Sequence, residues 1–312
     1  MTESGEGRYM AWGHPSGNNC TWEDAARVVT EIFASGESIL CHNAKFDVEV
    51  AVHWFGVPWP DPLKVFDSVF DLFLTDPHAI NLQLKPSAAR VLGLPPEERD
   101  VLQEWILRNV AGATKKTWGA YICLAPVEIV GPYAIGDCSR TLRIHQKLWP
   151  TIKTQNMEQA YQREQRLTPV LVEAERRGIR VNLPLLEQDM NTAQLSLNRA
   201  EVEIRNILGN PGLNVGSPAQ LADSLAQAQM INGVVRTAKG AISTAQDALR
   251  ATVTNPRLLG LLLYRGALST CLDDFGLKWI DFAREGGGRV HPQWNQTRSE
   301  KGSKFRGTRT GR

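Results

Sequence analysis

Four side chains stand out for chemistry by type and spacing. In the stretch LCHNAKFD, Asn43 and Asp47 lie four residues apart, where an apolar run gives way to an amphipathic one. About ninety residues on, GPYAIGDCSRTLRIHQKLWP repeats the interval with Tyr133 and Asp137, which a helix places on one face. Each pair admits two readings. Asn43 caps a helix and Asp47 sits in its first turns, where the dipole favours negative charge. Alternatively, Asp47 is a metal-binding carboxylate at the carboxyl end of a sheet strand, where open α/β sheets gather their ligands. Likewise Tyr133 packs on a core while Asp137 faces solvent, or the phenol orients a water beside a carboxylate that holds a divalent cation.

The elements needed to position these residues are legible in outline. Residues 1–150 alternate short apolar runs with helical patterns, as α/β domains do. RYMAW reads as a strand. TWEDAARVVTEIFASG reads as a helix, with Thr21 and Asp24 spaced as a capping box and Gly36 as its stop. SILCHN is then a strand and AKFDVEVAVHWFG a helix ending at Gly56. LKPSAARVLG and residues 97–109 follow as helices, and the stretch from Pro126 to about Thr151 as a helix with a kink near Pro132.

From about residue 155 the pattern is nearly all helix. One helix ends at Gly178, IRVN is an extended link, and a long helix follows with Leu186, Met190, Leu195, Leu197, Val202 and Ile204 on one side. A second long helix runs through PRLLGLLLYRGALSTCLDDFGLKWIDFARE. Between them lies a loop-rich region of some fifty residues, which predicts an antiparallel helical hairpin with a decorated tip.

At 312 residues the chain is long enough for two domains, and its net charge of +2 favours no partner. The segment Arg298 to Arg312 is different: it carries Arg298, Lys301, Lys304, Arg306, Arg309 and Arg312 against Glu300 alone. Such a run is either a solvated tail or a phosphate-contacting segment. The cysteines Cys20, Cys41, Cys123, Cys138 and Cys271 are odd in number and lack a Cys-x-x-Cys pair, which reads as reduced thiols. His14, His53, His78, His145 and His291 show no metal-like spacing. No run approaches the ~18 apolar residues of a membrane span, and the start has no apolar core like that of a signal peptide. A soluble cytoplasmic protein is expected.

Taken together, HNAKFD and YAIGDCSRTLRIHQKL resemble the second and third motifs of the proofreading 3′–5′ exonuclease domain of family A, DNA polymerase I-like polymerases, in a phage-like version. FDSVFDLFLTDP and LQLKPSAARVLG resemble that family's connecting helices, with Asp67, Leu84 and Lys85 at matching places. LVEAERRGIRVN is similar to the segment that enters the polymerase module, LNVGSPAQLADSL and RTAKGAISTAQDAL to its thumb, and GRVHPQWNQT with the terminal TGR to the start of its palm.

The resemblance implies an α/β ribonuclease H-like exonuclease domain lacking its first strands, over residues 1–152. A mostly α-helical thumb with the beginning of a palm would follow, over residues 153–312. It implies a pair of Mg2+ ions, with Asp137 a direct ligand and Asp47 acting nearby through water. Tyr133 would position the attacking water and Asn43 would help hold the terminal nucleotide. Arg236, Lys239 and Ser243 would contact a DNA duplex at the thumb tip, and Arg312 would face the primer–template. The implied partners are primer–template duplex, a single-stranded 3′ end and other polymerase chains that supply missing parts, in the cytoplasm of a bacterium or phage-infected host.

The departures matter as much. No Asp-x-Glu pair, the family's first exonuclease motif, precedes HNAKFD. The sequence therefore reads as entering the family pattern at its third strand, which leaves a gap of roughly 10 Å in the sheet unless the strands rearrange. It also stops before the palm aspartates. Little exonuclease and no polymerase activity is expected of this chain alone. The competing reading is a non-catalytic DNA-binding or scaffold protein derived from that fold.

Overall fold

Thr21 and Asp24 form the expected capping box at the start of helix α1 (Trp22–Ala34). The chain then forms β1 (Ile39–Cys41), α2 (Ala44–Phe55) and β2 (Val65–Asp67), which leads directly into α3 (Ser68–Thr75). β1 and β2 pair in parallel, with Cys41 opposite Asp67. Helices α4 (Leu84–Leu92), α5 (Glu97–Asn109), α6 (Val127–Thr154) and α7 (Glu158–Arg177) complete this part. This computed structural model describes residues 1–15, 17–94, 97–238 and 240–297.

The long helix α6 is the spine against which α3, α4 and α5 pack. Leu72, Ala88 and Ile144 make one cluster along it, and Leu102, Ile106, Ala125 and Val130 another. α6 passes through Pro132 and Pro150 as one helix.

The strand expected at RYMAW is not formed. Its apolar residues find partners in helices instead: Tyr9 lies against Gly131 of α6, and its hydroxyl pairs with His14 Nε2 at 2.6 Å. Ala11 accepts backbone bonds from Asn19 and Cys20 rather than from a strand. Conversely, VFD is a strand hidden at the head of a helical stretch. The sheet of the first part is therefore two strands wide among the described residues, and the chain is mostly helical.

The chain separates into two compact units, residues 1–176 with 293–297, and residues 177–292. The division falls at Arg176/Arg177 rather than at the expected 152/153. Helix α7 stays with the first unit because the Tyr161 hydroxyl bonds to both the N–H (2.8 Å) and the C=O (2.9 Å) of Asp67. One turn on, Gln165 Nε2 donates to the Val65 carbonyl at 2.8 Å. Residues 293–297 are tied in by Gln296, whose amide donates to the Glu164 carbonyl and accepts from Thr168.

In the second unit, β3 (Ile179–Arg180) and β4 (Arg289–Val290) pair antiparallel at the base. Between them run α8 (Leu183–Leu208), α9 (Pro218–Gln227), α10 (Gln246–Thr252) and α11 (Pro256–Thr270). A π-helical turn (Cys271–Gly276) continues α11 into α12 (Leu277–Glu285). Partners across the long helices run in opposite order: Glu203 with Arg257, Glu201 with Arg265, Glu187 with Arg284. This is the expected antiparallel hairpin.

Its tip is more ordered than a loop region, because α9 and α10 fold over an aliphatic core of Ile204, Leu213, Leu221, Leu249, Leu258 and their neighbours. Leu195 and Val202 point outward beside Asn198 and Arg199, so the buried stripe of α8 is Met190, Ala200, Ile204 and Leu208 instead. Gly276 packs so closely on α8 that a Cβ there would run into the Met190 thioether. No helix among the described residues is long and apolar enough to cross a membrane.

Candidate active site and nucleic-acid interface

The turn from β1 into α2 is built by a residue from the neighbouring strand. Asp67, at the end of β2, is buried, and its carboxylate accepts from the N–H groups of Asn43, Ala44 and Val69, each at 2.9 Å. It thus caps α2 and α3 together. The Asn43 side chain makes no capping bond; its backbone is left-handed (φ 69°), a conformation an asparagine tolerates. Capping by Asn43 is therefore corrected to capping by Asp67, which the parallel register places opposite Cys41. Burial pushes the Asp67 carboxyl up to about 6, although its three backbone donors pull the other way.

Asn43 is left exposed at the mouth of this turn, with Asp47 one helical turn further on. Asp47 is exposed by surface area, yet its carboxyl is desolvated and pushed up to about 6, with the Cys41 thiol hydrogen-bonding to it and lowering it in part. Burial raises the Cys41 thiol well above its usual value, and Asp47 and Asp67 add to the rise. His42 turns inward: its Nδ1 pairs with Ser68 Oγ at 2.8 Å, and burial lowers its pKa to about 4, so the ring is neutral near pH 7. Lys45 pairs with Glu175 of α7.

Tyr133 and Asp137 share a face of α6, as their spacing predicts. Between them stands Lys85 of α4, which the sequence marked only as a matching position. Its ammonium ion pairs with Asp137 and lies 3.9 Å from the centre of the Tyr133 ring. Arg140 Nη1 is 4.0 Å from the same carboxylate. The charges of Asp47 on α2 and Asp137 on α6 are both felt at Cys138. Burial raises that thiol, the amino terminus lowers it, and Asp137 and Asp47 both raise it further. The two carboxylates thus act on one neighbourhood.

The residues present do not fit a pair of magnesium ions by themselves. Asp137 is engaged by two cationic side chains and Asp47 by a thiol. No three His, Cys, Asp or Glu side chains converge to hold a metal among the described residues. A hard divalent cation needs about six oxygen donors, several of them carboxylate or water.

On the second unit, Arg236 and Ser243 meet at the tip. Residues 235–236 and 242–243 come together through an Arg236–Ile242 bridge, with Ser243 N bonded to Val235 O at 2.7 Å. The exposed Arg236 guanidinium closes the turn on the Gly240 carbonyl at 2.7 Å. Lys239 and Arg312, and the rest of the basic run from Arg298, lie outside the described residues.

No protein-family model matches the chain. It is 27% identical over 294 residues to DNA polymerase DpoZ of Vibrio phage phiVC8, which covers 88% of this chain and 45% of that protein. It is 30% identical over 161 residues to the thermostable DNA polymerase I of Thermus filiformis, covering 51% of this chain and 19% of that enzyme. Its fold is similar to the POL domain of Pol1 from M. smegmatis, a structure in complex with DNA primer-template and dNTP. The TM-score is 0.63 at 20% identity, over 89% of this chain and 43% of that one. The chain thus spans less than half the length of the phage relative it matches.

Proposed function

We propose that this chain is part of a family A, DNA polymerase I-like polymerase, a reading supported by its similarity to phage and bacterial members and by its fold. It handles DNA during synthesis or repair, with a proofreading-type 3′–5′ exonuclease site on the first unit and a duplex-gripping tip on the second. The observation that carries the reading is the packing of α6, which holds Tyr133 and Asp137, against β1, whose turn leads into Asn43 and Asp47. A ribonuclease H-like ancestry of the first unit fits its parallel strands, each followed by a helix.

The chain alone is a poor exonuclease. Asp137 and Asp47 are its share of a magnesium site that needs further carboxylates, while Tyr133 holds a water at its hydroxyl and Asn43 the terminal nucleotide. Arg236, Lys239 and Ser243 hold duplex backbone by charge and hydrogen bonds, which positions DNA without reading its sequence. Such a protein works where bacterial or phage DNA is copied, in the cytoplasm. The second reading, a non-catalytic DNA-binding or scaffold protein, is favoured by the engagement of Asp137 with Lys85 and Arg140.

Two assays test these readings. A 5′-labelled single strand incubated with the chain and magnesium or manganese is expected to stay intact; shortening that Asp137→Ala abolishes would mean a complete site. Primer–template binding is expected to weaken with salt, and Arg236→Ala to reduce the slope of log K against log salt by about one. Binding that ignores both salt and Arg236 would remove the tip from the interface.

A further inference from the structure

The place where a metal is expected already holds a positive charge. Lys85 keeps only 9% of its side-chain surface exposed and pairs with Asp137, itself 27% exposed. Its position is unfavourable on two counts. A buried ammonium ion loses much of its hydration. Lys85 is also the second residue of α4, where the helix dipole repels a cation and the N-cap residue Gln83 makes no side-chain cap bond. The Asp137 carboxylate and the face of Tyr133 both help to offset these costs. A divalent ion at Asp137 would meet that ammonium ion at close range.

The geometry points to Lys85 as the resident cation of this site: it takes the place beside Asp137 that a divalent metal would need, and a metal binds there only by displacing it. Asp137 is thereby kept paired and correctly turned until the rest of a metal site arrives. The inference rests on the reading of Asp137 as a metal ligand, and the test separates the two.

Manganese binding to the whole chain is measured by electron paramagnetic resonance, for the wild type, Lys85→Met and Lys85→Gln, each with and without Asp137→Asn. Circular dichroism melts confirm that each variant is folded, and the glutamine variant, though one bond shorter, keeps a hydrogen-bonding head. Removal of the lysine charge is expected to tighten binding about tenfold or more, a gain that Asp137→Asn cancels. Wild-type binding that depends on Asp137 and does not tighten without Lys85 would overturn the inference and leave Asp137 a ligand. Absence of any Asp137-dependent binding in all variants would overturn both.

Discussion

The two units keep their shape by opposite means. Of the ten buried polar or charged side chains among the described residues, nine lie in the first unit and only Ser224 in the second. The first unit threads Asp67, Ser68, Asp71, Lys85 and Arg140 through its interior. The second is held by an aliphatic cluster, with its polar groups on the outside. Buried polar groups cost stability unless partnered, and they fix side-chain directions when they are. The first unit is therefore built to aim groups, and the second to hold a shape on which surface residues act.

Asp67→Ala should break the comparison hardest. It leaves three backbone N–H groups without their acceptor, at a cost of about 3 kcal/mol or more in urea unfolding. Hydrogen exchange should rise first in α2 and α3; equal loss of protection across 177–292 would mean that the units do not differ as argued. Leu258→Ala is the counterpart in the second unit. Leu258 has no exposed surface, and its truncation should cost about 3 kcal/mol, read in the same melts and localised to α8–α11.

Gly276→Ala should cost less, about 1–3 kcal/mol, because the Met190 thioether is a flexible neighbour that moves aside in part. Met190→Ala in the same chain should relieve the crowding and give less than the sum of the two single effects.

Asp47 gives the smallest effect, and its sign follows from proton counts. Its carboxyl titrates near 6 in the folded chain against 3.8 in the unfolded one, so the native form binds more protons between those values. The stability it contributes is present at low pH and lost as pH rises through about 6. His42 runs the other way, its contribution present above 6.5 and lost as pH falls through about 4. The difference between Asp47→Asn and wild type cancels the histidine and isolates the carboxyl. The variant should gain on the wild type between about pH 4 and 6, by roughly 1 kcal/mol or less since Asp47 is exposed to screening solvent. A flat difference would place Asp47 outside the desolvated pocket.

Local rules made most of the helices legible in advance. The capping box at Thr21, the left-handed glycines Gly36, Gly56 and Gly178, and the 97–109 helix all follow from neighbours in sequence. What failed depended on distant partners. RYMAW has the composition of a strand, but its Tyr9 is claimed by Gly131, over a hundred residues away. Leu195 and Val202 fit a helical stripe as well as Met190 does, and only the position of α11 decides which face is covered. At the site, the spacing of Tyr133 and Asp137 gave their shared face, whereas the Asp67 cap and the Lys85 pair join residues 24 and 52 apart. Cys138, next to Asp137, and Cys41, two residues before Asn43, offered a signal of proximity that thiol spacing alone did not reveal.

The Tyr161 hydroxyl and the Gln165 amide have a consequence for behaviour in concentrated solution. A strand with an open side is a template on which another copy can add its own strand and begin a fibre or a swapped dimer. On the side of β2 away from β1, the phenol occupies both the donor and the acceptor of Asp67, and the amide occupies the acceptor of Val65. A helix thus seals with two side chains a border that a wider sheet would seal with a neighbour, and a short sheet of this kind gains protection against self-association without gaining a strand.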